Sequence, residues 1–417
     1  MCNEGVFMKK LIYILLSLIL VVLGAGGWYF SGLIYEGGLN PEFPDTDEIG
    51  TAEDRILVSS IDENTITLNV EEELWGVLLE KGIYGVRGQN GDAVVGKIIS
   101  SQNNIVKREL IKLTGTLVPG DKVNGTNLVT IDEAGSYRIL GTSSWSGQAS
   151  EGVYTPESVS NLDYEIISYT SNLGEFPSYL TTEGDKGIVI FVHGFRGDYS
   201  REVFALMRSG DLNDLGYRSM IISYRNDRGV PKDPSGIYQY GTTEWIDIDG
   251  AINEALKYTD KVILFGTSGG GGPISSWLEN VGDKNKVSGI IYEAPVISFW
   301  ESVEVNGGAR FPWLPTQLFT YFKLVTEIRY GVDFSAMDFR EAVIESDIPV
   351  LLFHGDDDEW VPVEMSDYIA SMRSTNLTYV RYENVGHVTS WNADPARYVK
   401  ELSTFLDSLD KRFIKVN

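Results

Sequence analysis

From about Tyr164 to the C-terminus, short apolar runs alternate with longer stretches of helical periodicity. The runs fall at Glu165–Tyr169, Ile188–Val192, Ser219–Tyr224, Val262–Phe265, Gly289–Tyr292, Pro349–Phe353 and Thr378–Tyr382, and a helical pattern such as 243–256 lies between most of them. A strand that rejoins its own sheet in parallel needs a long crossover, usually a helix. The alternation therefore predicts an α/β fold with a mostly parallel sheet and helices on both faces.

One run leads directly into chemistry. Val262-Ile263-Leu264-Phe265 continues as Gly266-Thr267-Ser268-Gly269-Gly270, so a Gly-x-Ser-x-Gly motif closes an apolar strand. The serine of such a turn stands on a bend so tight that Gly266 and Gly270 can carry no Cβ. A serine hydroxyl needs a base to accept its proton, and the base needs a third group to orient it. The chain has three histidines: His193 and His354 at the ends of strand-like runs, and His387 between a strand and the helical C-terminus.

These residues resemble the α/β-hydrolase superfamily, whose nucleophile elbow has this motif. His354-Gly355-Asp356-Asp357-Asp358 resembles the His-Gly-x-x-Asp segment that supplies the acidic triad member in many of its enzymes. Matched position by position, the resemblance implies Ser268 as nucleophile, Asp358 as orienting acid and His387 as general base, in the chain order the superfamily uses. His193-Gly194-Phe195 resembles the turn that gives one oxyanion-hole amide, here the N–H of Phe195, with the N–H of Gly269 as the second donor. The segments 173–177, 223–227, 240–245 and 388–392 look like those of bacterial membrane-anchored α/β-hydrolases. None of this names a substrate.

Other residues have plainer expected roles. His193 and His354 are expected to be structural, and Asp356 and Asp357 to sit in a solvated turn. Thr242 and Thr243 are expected to cap the following helix, and Arg196 either to hold a substrate carboxylate or to lie in solvent. Positions 269–272 are four consecutive glycines, where the superfamily often has a larger residue after the serine. Glycine weakens a helix by roughly 1 kcal/mol relative to alanine, which predicts a loose helix start partly offset by Pro273 in the first turn.

The N-terminus carries a separate signal. Met8-Lys9-Lys10 precedes an uncharged apolar stretch from Leu11 to Phe30, long enough to cross a bilayer. Lysines before it and acids after it predict a retained single-pass anchor over 11–31, with residues 1–10 cytoplasmic and the rest extracytoplasmic; a cleavable signal peptide is the competing reading. Cys2, the only cysteine, precludes an internal disulfide. Residues 32–54 read as an acidic stalk, flexible or extended. Residues 55–160, with short alternating runs between Asn-Gly turns, read as a small β-rich module. The α/β-hydrolase domain is expected over 161–417, with a cap insertion at about 297–346 whose aromatics line an acyl pocket, pack on the sheet or meet the membrane surface.

A formal net charge of -25 over 417 residues argues against a nucleic-acid partner. No metal-ligand spacing or phosphate-binding loop is apparent, so no cofactor and no metal are expected. The expected function is that of a membrane-anchored serine hydrolase acting on a small-molecule or peptide ester, thioester or amide. An acyltransferase using the same acyl-enzyme and a non-catalytic binding protein on the same scaffold are the alternatives.

Overall fold

The computed structural model describes residues 17, 20–41, 56–70, 77–131, 135–140, 154–200 and 202–414. Six strands come first: β1 (Ile56–Ile61), β2 (Thr65–Asn69), β3 (Tyr84–Gly88), β4 (Gly91–Gln102), β5 (Ile105–Gly115) and β6 (Lys122–Thr126). They close into an antiparallel barrel in the order β1-β2-β5-β4-β3-β6. The two-residue period explains the closure. In β2, Ile66 and Leu68 point into the barrel core while Thr65, Thr67 and Asn69 stay half-exposed. The barrel ends at Thr126. A hairpin of β7 (Val129–Ile131) and β8 (Tyr137–Ile139) and a short helix, Pro156–Ser160, follow it. The flanking Leu128, Leu140, Tyr154 and Val159 pack into a core of the α/β domain, so the described part of 127–160 serves that domain as well as the barrel.

The larger sheet has eight strands: β9 (Tyr164–Ser171), β10 (Gly174–Thr181), β11 (Ile188–Val192), β12 (Arg218–Ile222), β13 (Val262–Thr267), β14 (Gly289–Glu293), β15 (Val350–Gly355) and β16 (Leu377–Tyr382). Their order is β16-β15-β14-β13-β11-β12-β10-β9. Pairing is parallel from β16 to β12 and antiparallel at β10 and β9. Each central strand is buried on both faces, which is why these runs are continuously apolar rather than alternating. Ile188, Ile190, Leu264, Ile290 and Leu352 face one core, shared with helices Trp245–Ala255, Gly271–Asn280 and Val363–Met372. Val189, Phe191, Ile263, Phe265, Ile291 and Leu351 face the other, shared with helices Val203–Asp214 and Pro395–Ile414.

Between β14 and β15 the chain makes an insertion with helices Phe299–Arg310, Gln317–Tyr330 and Arg340–Glu345. Its aromatics divide. Phe299 and Phe334 are buried and stack at 5.6 Å, while Phe299 also meets Tyr240 at 4.2 Å. Phe311 and Phe322 instead clasp Phe30 of an N-terminal helix, at 5.1 and 4.3 Å between ring centroids. Trp313 is 72% exposed.

The expected membrane span lies partly outside the described residues, as do residues 1–10 with Cys2. Among the described residues no helix is long and apolar enough to cross a membrane. Residues 20–34 are helical and run on through a π-helical turn, Tyr35–Leu39. The expectation of a flexible or extended stalk starting at residue 32 is therefore corrected over 32–40. Arg329 donates to Trp28 O at 2.7 Å and to Ser31 Oγ at 2.8 Å, Tyr35 stacks on Tyr330 at 4.4 Å, and Leu39 is fully buried in the α/β core. The physical reason is apolar burial: Phe30, Tyr35 and Leu39 find partners that an extended stalk would leave in water. Residues 42–54 lie outside the described residues.

Candidate active site

Strand β13 delivers Ser268 at the carboxyl edge of the sheet. Ser268 has φ 49°, the left-handed region that a non-glycine residue enters at a cost of ~1–3 kcal/mol. A short 3₁₀ turn, Ser268–Gly270, then runs into helix Gly271–Asn280. Three of the four glycines, Gly270, Gly271 and Gly272, leave no room for a Cβ, and the helix start is packed rather than loose. A Cβ on Gly270 would lie 2.0 Å from Val192 O, and one on Gly272 would lie 2.2 Å from Tyr240 O. A Cβ on Gly271 would lie 2.5 Å from Pro295 Cβ.

The three predicted residues meet although the chain separates them widely. His387 Nε2 is 2.9 Å from Ser268 Oγ, and His387 Nδ1 is 2.7 Å from Asp358 Oδ2. A carboxylate can only accept, so Nδ1 carries the proton and Nε2 is left as an acceptor for the serine hydroxyl. Asp358 Oδ1 accepts from the N–H groups of Trp360 and Val361, both at 2.8 Å. Burial by itself would raise the Asp358 pKa. The facing His387, the His354 ring 3.3 Å away and the hydrogen bonds to both overcome that and hold the carboxyl well below the usual range.

His354 is buried, with Nδ1 2.6 Å from Ser366 Oγ and Nε2 3.1 Å from Val361 O, so it braces the acid loop. Asp356 is not a merely solvated turn residue: it accepts from Arg381 Nη1 and from Asn384 N, both at 2.7 Å. Asp357 is exposed.

The turn after β11 lies against the elbow. A Cβ built on Gly269 would sit 3.0 Å from Phe195 N, and one on Gly194 would sit 3.4 Å from Ser268 Oγ. His193 sets this turn from below. Its Nδ1 is 2.8 Å from Gly194 O, its Nε2 is 2.8 Å from Asp227 Oδ2, and its ring stacks on Tyr224 at 4.4 Å. Burial disfavours the imidazolium, but the Asp227 carboxylate outweighs it and raises the His193 pKa to about 9. Glu202 is buried close by, and burial pushes its pKa to about 7.

Several organising residues were not singled out by the sequence. Arg225 is buried and donates to Asp247 at 2.7 and 2.9 Å, to Asp233 at 3.1 Å and to Asn172 at 2.8 Å, joining the ends of β9 and β12 to helix Trp245–Ala255. Thr242 and Thr243 do not cap that helix. Thr243 donates to Asp233 at 2.8 Å and Thr242 to Gln239 O at 3.2 Å, while the Glu244 carboxylate takes the N–H groups of Gln239 and Gly241, both at 2.8 Å. A full negative charge accepts these amides better than a hydroxyl. Arg196 is tied down rather than free in solvent: it donates to Asn40 O at 3.1 Å and Glu36 O at 3.3 Å, fastening the N-terminal segment beside Phe195.

The loop carrying His387 is itself strained. Val388 has φ 55°, and a β-branched side chain in that region costs ~1–3 kcal/mol unless its surroundings hold it. Among the described residues, no group of three or more His, Cys, Asp or Glu side chains is arranged to hold a metal ion.

No protein-family model matches the chain, and no curated protein matches it. Solved structures similar to it include the esterase Pf2001 of Pyrococcus furiosus, 19% identical over 62% of this chain and 95% of that one, with a TM-score of 0.48. An esterase from Exiguobacterium antarcticum is 19% identical over 58% and 98% of the respective chains, TM-score 0.40. A bromoperoxidase from Bacillus anthracis is 18% identical over 58% and 100%, TM-score 0.41. The α/β architecture of this chain rests on its own strand order and crossovers.

Proposed function

We propose that this chain is a membrane-anchored serine hydrolase that cleaves an ester, thioester or amide through an acyl-enzyme on Ser268. The observation that carries the reading is the relay from Ser268 Oγ to His387 Nε2 at 2.9 Å and from His387 Nδ1 to Asp358 at 2.7 Å. As Ser268 Oγ bonds to the acyl carbon, its proton passes to His387 Nε2 and the carbonyl electron pair moves to oxygen. Asp358 stabilises the resulting imidazolium and keeps it in register. Collapse of the oxyanion breaks the bond to the leaving group, which takes the proton from His387. Water then repeats the sequence on the acyl-enzyme, giving up its proton to the same nitrogen and releasing the acid.

The N–H groups of Phe195 and Gly269 are the oxyanion donors in this scheme. Gly194 O is engaged by His193 Nδ1 and by Gly197 N at 3.3 Å, so the trans peptide turns the Phe195 N–H away from both. Loss of one such donor costs ~100- to 1,000-fold in rate.

The anchor is the uncharged stretch from Leu11 to Phe30 behind Lys9 and Lys10, with the catalytic domain extracytoplasmic. In its described part the side chains of Leu20 and Trp28 are 69% and 64% exposed, a costly arrangement in water that hydrocarbon and interface would relieve. Sodium carbonate extraction of membranes tests it: the chain stays in the pellet, and release into the supernatant would refute the anchor. For the chemistry, a fluorophosphonate probe is expected to label the intact protein and not Ser268→Ala. Equal labelling of the two would remove the hydrolase reading.

A further inference from the structure

We infer that Glu80, on a loop of the barrel, is a positioning residue for His387, so that the barrel is part of the catalytic apparatus and not a spacer. The inference rests on the proposed role of His387. Glu80 lies 306 residues from Gly386 in sequence, yet its Oε2 accepts the Gly386 N–H at 3.2 Å. The same oxygen accepts Thr389 Oγ1 at 2.9 Å and Tyr84 OH, from within the barrel, at 2.9 Å. One carboxylate thus takes hydrogen bonds from the residue before the histidine and from the second residue after it. The strained Val388 lies between those two points. Gly386 has no Cβ where one would lie 2.3 Å from Glu80 Oε1, which lets the carboxylate come up against the loop.

The loop that presents Glu80 is itself built to be rigid. Arg108 of β5, fully buried, donates to Leu78 O at 2.7 Å, Glu80 O at 2.9 Å, Gly82 O at 2.6 Å and Gly96 O at 2.9 Å. A guanidinium with this many carbonyl partners fixes the loop backbone as a fork would. Downstream of the histidine a second latch joins the same two pieces: Ile83 N donates to Asn392 O at 2.8 Å and Asn392 Nδ2 to Ile83 O at 2.9 Å. The line of contact therefore runs from barrel strand to loop, from loop to carboxylate, and from carboxylate to the backbone on each side of the base. Even a half-buried carboxylate that contributed nothing here would be a costly way to fill the interface.

A displacement of a catalytic group by about 1 Å can cost roughly 100-fold in rate. In the full-length protein, Glu80→Ala is expected to lower kcat for a p-nitrophenyl ester, and the fluorophosphonate labelling rate, by on the order of 100-fold, with KM changed by less than about twofold. Glu80→Gln keeps one acceptor oxygen and is expected to recover about tenfold of that loss. Hydrogen exchange across 383–392 is expected to quicken in Glu80→Ala while the barrel strands keep their protection. A folded Glu80→Ala with near-normal kcat, a change confined to KM, or a Glu80→Gln no better than Ala would overturn the assignment. Should Glu80→Ala fail to fold, Thr389→Val removes one of the bracketing bonds and is read in the same way. Absence of labelling in the unmodified protein would refute the hydrolase reading instead, and the exchange comparison would still decide whether Glu80 holds the loop.

Discussion

Replacing Asp358 by asparagine isolates the orienting function of the acid. The substitution is nearly isosteric, and an amide oxygen can keep the Trp360 and Val361 N–H bonds that Oδ1 now accepts at 2.8 Å. The loop should therefore hold its shape. The change falls on the other side, where an NH₂ group would face His387 Nδ1 across 2.7 Å. A donor there forces Nδ1 to accept, which moves the ring proton to Nε2, the nitrogen 2.9 Å from Ser268 Oγ. That nitrogen can then no longer take the serine proton, and no carboxylate remains to balance an imidazolium. In a serine-protease triad the same exchange costs roughly 10⁴-fold in kcat. At 1.36 kcal/mol per tenfold this is about 5 kcal/mol of transition-state stabilisation. The pH dependence follows with its sign. The folded pKa of Asp358 is depressed, so its charge and the stability it contributes are fully present above the unfolded value near 3.9 and are lost only as pH falls through the lower folded value. The deficit of Asp358→Asn should thus persist across the whole neutral range. Steady-state ester hydrolysis between pH 6 and pH 9 measures it; a variant within tenfold of the unmodified enzyme would refute this orientation of the relay.

Gly270→Ala should fold poorly, because its Cβ would lie 2.0 Å from Val192 O and 2.6 Å from His193 O, both backbone atoms. A loss of at least ~3 kcal/mol is expected in urea unfolding, and an unchanged midpoint would show that the elbow can open. Glu202→Gln tests the buried acid beside His193. Its folded pKa is raised from 4.5 to about 7, so folding becomes less favourable as pH rises between those values, on the order of 3 kcal/mol in full at 1.36 kcal/mol per pH unit. Thermal unfolding should show the glutamine variant stabilised at pH 8 and unchanged at pH 4; equal behaviour at both would place the unfavourable charge elsewhere.

The parts legible in sequence were those whose physics is local. Central strands buried on both faces read as unbroken apolar runs, and the elbow announces itself because a sharp turn excludes side chains at fixed spacing. The triad positions also came from short motifs, His354-Gly355 to Asp358 and Gly386-His387, and the structure brings those side chains together. Strand β10 was not among the runs read from the sequence, where Gly174 and Pro177 interrupt the apolar pattern; in the sheet Pro177 pairs with Ser168 of β9, and β12 pairs with β10 only from Ser178. Glu80, Arg108, Arg225 and Arg196 act through partners remote in sequence, and a single charged residue carries no local sign of what it will meet. Thr242 and Thr243 misled for a related reason: the first amides of that helix go to the backbone carbonyls of Gly241, Thr243 and Glu244, and no side chain caps it. The stalk was drawn too early because Tyr35 and Leu39 lie among glycines and acids, and their burial depends on surfaces supplied by the insertion and by Arg196.

That early burial has a practical corollary for anyone trimming the chain. Hydropathy alone would suggest cutting just after Phe30 or at the close of the acidic stretch near residue 54. The later cut would remove Leu39 from its seat, deprive Tyr238 N of the Leu39 carbonyl it reaches at 2.9 Å, and uncover Phe299 where Gly38 now lies against it, whereas the earlier one keeps Leu39 but takes Phe30 away from Phe311 and Phe322. A protein that began near residue 55 would bear a raw apolar scar next to the turn that holds Phe195, so a version without the anchor should still keep Tyr35 and Leu39.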